Sequence, residues 1–384
     1  MPPKHEAISW KVFLTVFRHE RGPLVRIAQI APLYESVPPQ LYGGTERVVS
    51  HLTEELVRLG HDVSLFASGD SVTSARLVSS CPSALRLNPK CVDPLPYHIV
   101  SLDQVAREAE NFDILHFHTD YCHFPLTRNL NLPSLTTLHG RLDIPDLQPL
   151  YSRFPNSQVV SISFAQRKPL PRANWIGNVY HGLPADLYRP RFESGRYLAF
   201  LGRISPEKRP DRAIEIALRS GMPLKIAAKV DRADKEYFEC KIKPLLNHPA
   251  IEYIGEIGDH EKSEFLGNAY AYLFPIDWPE PFGLTMIEAM ACGTPTIAFS
   301  CGSVPEIITD GVTGFIVKDM ESAISCVAKI PEISRRGCRA VFERRFTVER
   351  MTANYVSLYQ QSVGELEDSQ ILELEGYPPP LTLK

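Results

Sequence analysis

Short apolar runs alternate with stretches of helical spacing along this chain, and the alternation happens twice. The first series opens at 26–32, an apolar run closed by Pro32, which suits a buried strand. Residues 45–59 follow, with Val48, Val49, Leu52, Leu56 and Leu59 on one side. Gly60 then stands where a helix ends, and 62–67 reads as the next strand. Further strands are expected at 113–118, 134–138 and 159–162, the last leading into Ser163-Phe-Ala-Gln166, a capping box that opens a helix. The second series has strands at 197–202, 224–228, 251–254, 270–274, 294–299 and 314–317. Such alternation requires parallel strands with helices over both faces, so the fold class is α/β, with two doubly wound, Rossmann-like parallel-sheet domains facing a central cleft.

The expected division follows. Residues 1–24 form a flexible extension, 25–184 an N-terminal domain, 185–346 a C-terminal domain, and 364–384 a disordered tail that is acidic and then rich in proline. A last helix at 347–363 is expected between the second domain and the tail, and the hinge is placed at 182–190, which carries Gly and Pro. At 384 residues, each domain is large enough to bury its own core.

Ligands of doubly wound sheets bind beyond the carboxyl ends of the strands. The residues there carry the chemistry. Glu280-Pro-Phe-Gly-Leu-Thr-Met-Ile-Glu288 sets two carboxylates eight positions apart across a loop-to-helix junction. Pro281 and Gly283 keep the first part irregular, and a helix is expected from Leu284 to Ala291. Phe282, Gly283, Leu284 and Thr285 lie between the carboxylates, where free N–H groups and the positive end of the helix dipole favour an anion. A nucleotide sugar has the matching pattern of hydroxyls, diphosphate and ribose hydroxyls. Against this, any surface helix can open on an acid, so the junction needs support from elsewhere.

Gly202-Arg203-Ile-Ser-Pro-Glu-Lys208 follows a strand directly, and its two cations suit a diphosphate clamp, Arg203 binding bidentately and Lys208 as a point charge. The competing reading is an exposed loop in which Glu207 pairs with Lys208. Lys229 ends the next strand and is a further phosphate contact. Tyr42-Gly43-Gly44-Thr45-Glu46 precedes a helix in the first domain, and its two glycines let backbone approach a phosphate or sugar closely. Glu46 is there either for a ligand or only to complement the dipole. His139, at the end of the strand 134–138, is the favoured catalytic histidine; His116, His118 and Asp120 are weaker candidates, and His181 could face the cleft.

Several classes are excluded. A net charge of −4 leaves no footprint for nucleic acid. No dinucleotide glycine fingerprint follows a strand, which argues against a dehydrogenase, and no Gly-x-Ser-x-Gly elbow is present. The eight cysteines have neither Cys-x-x-Cys nor zinc spacing, which fits a reducing, cytoplasmic location. No run approaches a membrane span, so membrane contact is at most peripheral. There is no Asp-x-Asp to hold a divalent ion on a diphosphate, so no metal and no cofactor is expected.

The ordered set Tyr42 to Val49, Gly202 to Lys208, Glu280 to Glu288, Ala291-Cys-Gly-Thr-Pro295 and Gly302-Ser-Val-Pro-Glu306 resembles the family 4 retaining glycosyltransferases of GT-B fold, over about residues 26 to 363. The resemblance implies that a hexosyl group passes from a nucleotide sugar, UDP-glucose first among the donors, to a sugar, lipid or small-molecule acceptor. It places Arg203 and Lys208 on the diphosphate and Glu288 on the ribose, with Glu280 and the backbone from Phe282 to Thr285 on the sugar and its phosphate. Gly43 and Gly44 would close over the donor, His139 would touch the sugar near the reacting carbon, and Gly255 to Ile257 would hold the base. The final helix would cross back to the first domain. Rivals stand beside this reading: an epimerase of UDP-sugars, which needs no acceptor, a phosphorylase, which would need a pyridoxal-phosphate lysine and inorganic phosphate, and a catalytically silent nucleotide-sugar sensor, which would not hydrolyse UDP-glucose.

Overall fold

A computed structural model describes residues 24–40, 43–86 and 88–374. Of the expected extension, all but Leu24 lies outside the described residues, as do Tyr42 and the end of the expected tail from 375 on.

Thirteen strands form two sheets among the described residues. The first comprises β1 (Arg26–Ile30), β2 (Asp62–Ala67), β3 (Arg76–Ser79), β4 (Ile114–Phe117), β5 (Ser134–Thr137), β6 (Gln158–Ser161) and β7 (Asn174–Asn178), in the order β3-β2-β1-β4-β5-β6-β7. The second comprises β8 (Tyr197–Arg203), β9 (Leu224–Lys229), β10 (Ile251–Gly255), β11 (Ala269–Phe274), β12 (Thr296–Phe299) and β13 (Gly314–Val317), in the order β10-β9-β8-β11-β12-β13. All pairs are parallel. In each sheet the order reverses once, between β1 and β4 and between β8 and β11, and such reversals open a crevice at the carboxyl edge.

Helices cover both faces of each sheet, so the central strands are buried on both sides, mostly by apolar residues. In β1, Ile27 packs with Val48, Leu52 and Leu56 of the helix Gly44–Arg58, while Ala28 and Ile30 join Phe66, Leu115 and Phe117 on the other face. Periodicity missed β3 and β7, both edge strands. β3 is only half-buried, and Asn174-Trp-Ile-Gly-Asn178 is poor in the branched residues that favour strands.

The expected capping box at 163–166 forms only in part. Ser163 Oγ accepts from Gln166 N at 3.1 Å, but Gln166 Oε1 accepts from the N–H of Ile162 at 3.0 Å rather than from that of Ser163, its Nε2 donates to the carbonyls of Leu138 and Gly140, and the helix is the single turn Phe164–Arg167. The last helix also departs from expectation. It spans Val348–Leu374, past 363 and into the stretch expected to be disordered, because no breaker follows Gly364 until Gly376. Val348, Met351, Tyr355 and Tyr359 form one buried stripe of this helix against the N-terminal sheet. The chain thus crosses between the sheets at two adjacent places, where Leu183 pairs with Thr347. Gly182 is required there: a Cβ would collide with the Thr347 carbonyl.

Candidate functional site

The carboxyl edges of the two sheets line one cleft of about 560 Å³, a size suited to a nucleotide sugar. Its C-terminal wall is built from strand ends. β8 ends on Arg203, β9 on Lys229, and the loop after β11 carries Trp278 and Glu280 into the helix Leu284–Ala291, whose bounds are those expected. Gly283 caps that helix with φ of 83°, a left-handed conformation that costs a glycine nothing. The loop is held from both sides. Ser303 Oγ donates to the Phe282 carbonyl at 2.7 Å, and Ser163 Oγ, from the other sheet, donates to the Pro281 carbonyl at 2.6 Å. Glu306 completes the join by accepting from the N–H groups of Phe164 and Ala165 at 2.8 and 2.7 Å.

Charge on this wall is high and internally paired. Lys208 Nζ contacts Glu280, not Glu207 as the competing sequence reading had it, and stands 5.1 Å from the Trp278 ring and 5.8 Å from that of Phe274. Trp278 Nε1 donates to Glu280 at 3.0 Å. Glu207 instead meets Arg203, which also faces Asp234 at 3.4 Å and Asp231 at 3.6 Å. Lys229 lies 3.0 Å from Asp231.

Glu288 is fully buried. Its Oε1 lies 3.0 Å from Lys262 Nζ, and its Oε2 has no hydrogen-bond partner in the protein. Burial, the strongest influence, raises its pKa, but Lys262, Arg47 and Tyr188 together hold it below the ordinary carboxylate value. A buried carboxylate oxygen left open costs free energy unless a donor reaches it.

The N-terminal wall differs in kind. Gly43, Gly44, Thr45, Glu46 and Arg47 open the helix after β1, and Tyr34 and Arg86 stand beside them. Glu46 is buried and its pKa is raised by that burial. Arg47 reaches across to Asp259 of the opposite half. His139 follows β5; its ring stacks on His181 with centroids 5.2 Å apart, and His181 meets Phe282 edge-on at 4.8 Å. Burial pushes the His139 pKa down to about 3, so its imidazole is neutral at pH 7.

His139, Arg203, Lys208 and Glu280 therefore share one cleft with Gly43, Gly44, Lys229, Ile257, Phe282, Gly283, Leu284, Thr285 and Glu288. Gly255 does not line it; with φ of 80° it turns the chain at the end of β10 and brings Glu256 and Ile257 forward instead. His116 and His118 lie behind the wall, buried in the sheet, and Asp120 is also off the lining. Sequence reasoning missed Tyr34, Arg47, Arg86, Trp278 and Lys262. Arg47 sits inside the run 42–49 and could have been flagged there, but Asp259 is 212 positions away, and no local pattern marks Lys262.

Among the described residues, no group of three or more His, Cys, Asp or Glu could hold a metal ion, none of the cysteines is paired, and no helix is long and apolar enough to cross a membrane.

Residues 42–204 match the family model described as Glycosyltransferase Family 4, and residues 189–340 match the one described as Glycosyl transferases group 1. A phosphatidyl-myo-inositol mannosyltransferase of Propionibacterium freudenreichii is 25% identical over 346 residues, covering 81% of this chain and 87% of that protein. The sucrose-phosphate synthase of Thermosynechococcus elongatus shares the fold with a TM-score of 0.71 at 19% identity, over 89% of this chain and 100% of that one. Anabaena HepE, solved with UDP and glucose, does so with a TM-score of 0.68 at 16% identity, over 88% and 100%.

Proposed function

Because this chain belongs to the GT-B glycosyltransferases of the group 1, family 4-like type, we propose that it moves a hexosyl group from a nucleotide sugar, UDP-glucose first, to a hydroxyl acceptor, with retention at the anomeric carbon and without a divalent ion. The observation that carries the reading is the cleft itself: the cations Arg203, Lys208 and Lys229 and the start of the helix Leu284–Ala291 line one wall, a neutral histidine lines the other, and the space between is about 560 Å³. Anabaena HepE, which has this fold and was solved with UDP and glucose, supports the choice of donor.

In this reading the diphosphate lies over the first N–H groups of the helix Leu284–Ala291, within reach of Lys208 and Arg203. An incoming phosphate takes over Lys208, and Glu280 is freed to accept from sugar hydroxyls. Glu288 Oε2 takes a ribose hydroxyl, and the backbone at Glu256 and Ile257 borders the base. As the bond from the anomeric carbon to the phosphate oxygen breaks, negative charge grows on the diphosphate. Fixed cations there stabilise the transition state more than the ground state. The acceptor oxygen attacks the face the phosphate leaves, and its proton passes to the departing phosphate oxygen. His139 accepts from a hydroxyl of the transferred sugar.

The test is thermal shift with UDP, GDP and ADP and their glucose and mannose esters, followed by turnover of the stabilising donor in EDTA with the product anomer read by NMR. A ligand at a hundred times its Kd should stabilise by about 2.7 kcal/mol. Activity lost in EDTA and restored by magnesium would overturn the metal-free reading. An inverted product would overturn the same-face route.

A further inference from the structure

The N-terminal sheet buries a continuous line of polar side chains that the donor chemistry leaves unused. Gln29 on β1, His116 on β4, His118 just after it, Thr137 on β5 and Tyr359 of the last helix are all at most 2% exposed. Each would be costly there without partners, and each has them. The Tyr355 hydroxyl lies 2.9 Å from Thr137 Oγ1, which lies 2.8 Å from His116 Nε2. His116 Nδ1 is 2.7 Å from the Tyr359 hydroxyl, and that hydroxyl accepts from Gln29 Nε2 at 3.0 Å. Gln29 Oε1 is 2.8 Å from His118 Nε2, and His118 Nδ1 is 2.9 Å from Nε2 of His139, in the cleft wall.

A line of this kind has a direction. Burial holds the imidazoles of His116, His118 and His139 neutral, so each ring carries one proton and can donate from only one nitrogen. Since Gln29 turns its amide nitrogen to Tyr359, its carbonyl oxygen faces His118 and can only accept. His118 must then carry its proton on Nε2, which leaves its Nδ1 to accept from His139 Nε2–H. The remaining nitrogen, His139 Nδ1, has no partner within the protein. Reversing the Gln29 amide would reverse every bond in the line and put a proton on that nitrogen instead.

We propose that Gln29 and His118 are positioning residues, which hold His139 as its Nε2–H tautomer and keep Nδ1 bare as an acceptor for a hydroxyl of the transferred sugar. This rests on the reading of His139 as a donor-sugar contact. Beyond Gln29 the line continues to Tyr359 and ends on Tyr355, so the helix that returns from the C-terminal sheet supplies the hydroxyls that keep its far part satisfied.

The test reads ring protonation in the whole, ligand-free protein by long-range proton–nitrogen NMR of labelled histidine, with His139→Gln used to assign the signal. The expected result is Nε2–H at His139. Gln29→Glu presents acceptors only and should leave that tautomer in place. Gln29→Leu and His118→Phe should shift His139 towards Nδ1–H and lower kcat by roughly tenfold or more, as a wrongly protonated imidazole does. Gln29→Glu should retain turnover within a few-fold, although it buries a charge, which a purely structural role would not allow. Nδ1–H at His139 in the unaltered protein overturns the proposal, whatever becomes of the variants, and so does an unmoved tautomer in Gln29→Leu. An inactive protein with the Nε2–H tautomer would sink the donor reading alone.

Discussion

The two walls of the cleft solve the problem of binding polar groups in opposite ways. On the C-terminal wall the polar groups are charged and paired with one another: Lys208 with Glu280, Arg203 with Glu207, Asp231 and Asp234, Lys262 with Glu288. On the N-terminal wall, behind His139, they are neutral and joined by hydrogen bonds into a line running through the sheet. Paired charges can exchange partners when a diphosphate arrives, at a cost set by how much water reaches them. Buried neutral groups have no such freedom, since breaking one bond leaves an unsatisfied polar atom. In the proposed reading, the paired charges are the part of the cleft that responds to the ligand, and the line behind His139 is the part that stays fixed.

The largest effect is expected where the fixed wall meets the last helix. Tyr355→Ala removes a fully buried ring and should cost about 3–5 kcal/mol of stability, seen in denaturant unfolding. A cost near zero would mean that the helix is not what holds the sheet, and the contrast between the walls would fail at its base. Next comes the responsive wall. Lys208→Ala should lower kcat about a hundredfold or more, with stability little changed. Unchanged kcat with only a higher KM would break the comparison, because Lys208 would then bind the donor without answering to its charge.

pH sharpens the contrast further. The pKa of His139 is lowered to about 3 from an ordinary 6.5, so in acid the unfolded chain binds a proton that the native protein refuses. Stability should fall as pH drops from 6.5 towards 3, by about 1.4 kcal/mol per pH unit for each such histidine. His139→Phe should lessen that slope by one proton in unfolding measured between pH 4 and 6. An unaltered slope would show the ring to be accessible and protonated. Glu288, on the other wall, has a folded pKa below its ordinary 4.5, so the stability it contributes is lost only as pH falls below that value. The smallest effect belongs to Lys229, which is partly exposed and 3.0 Å from Asp231: Lys229→Ala should raise the donor KM by less than tenfold, which is under about 1.4 kcal/mol. A larger change would make it a principal phosphate ligand.

The same contrast explains what was legible. Gly43, Gly44, Arg203, Lys208, Glu280 and Glu288 could be found because each sits at a junction between strand and helix, where glycine and proline punctuate the chain and a ligand edge is topologically required. The helix Leu284–Ala291 is bounded by residues that dictate its start. Partnerships were harder to read. Glu207 lies next to Lys208 in the chain yet meets Arg203, while Lys208 meets Glu280, 72 positions away. The extension of the last helix to Leu374 was hidden by an acidic composition that suggested disorder, although nothing in it breaks a helix before Gly376.

By itself the order of apolar and punctuating residues determined two parallel sheets, the edge at which each would bind, and most of the charged groups there, since all of these follow from local periodicity and from the geometry of strand–helix turns. Tertiary structure alone decided which charges pair, that Arg47 spans the cleft to Asp259, and that His139 is tied through His118 and Gln29 to a tyrosine 330 positions from Gln29. The physical reason is range: a hydrogen bond or ion pair acts over a few ångströms, and only folding brings such distant side chains that close.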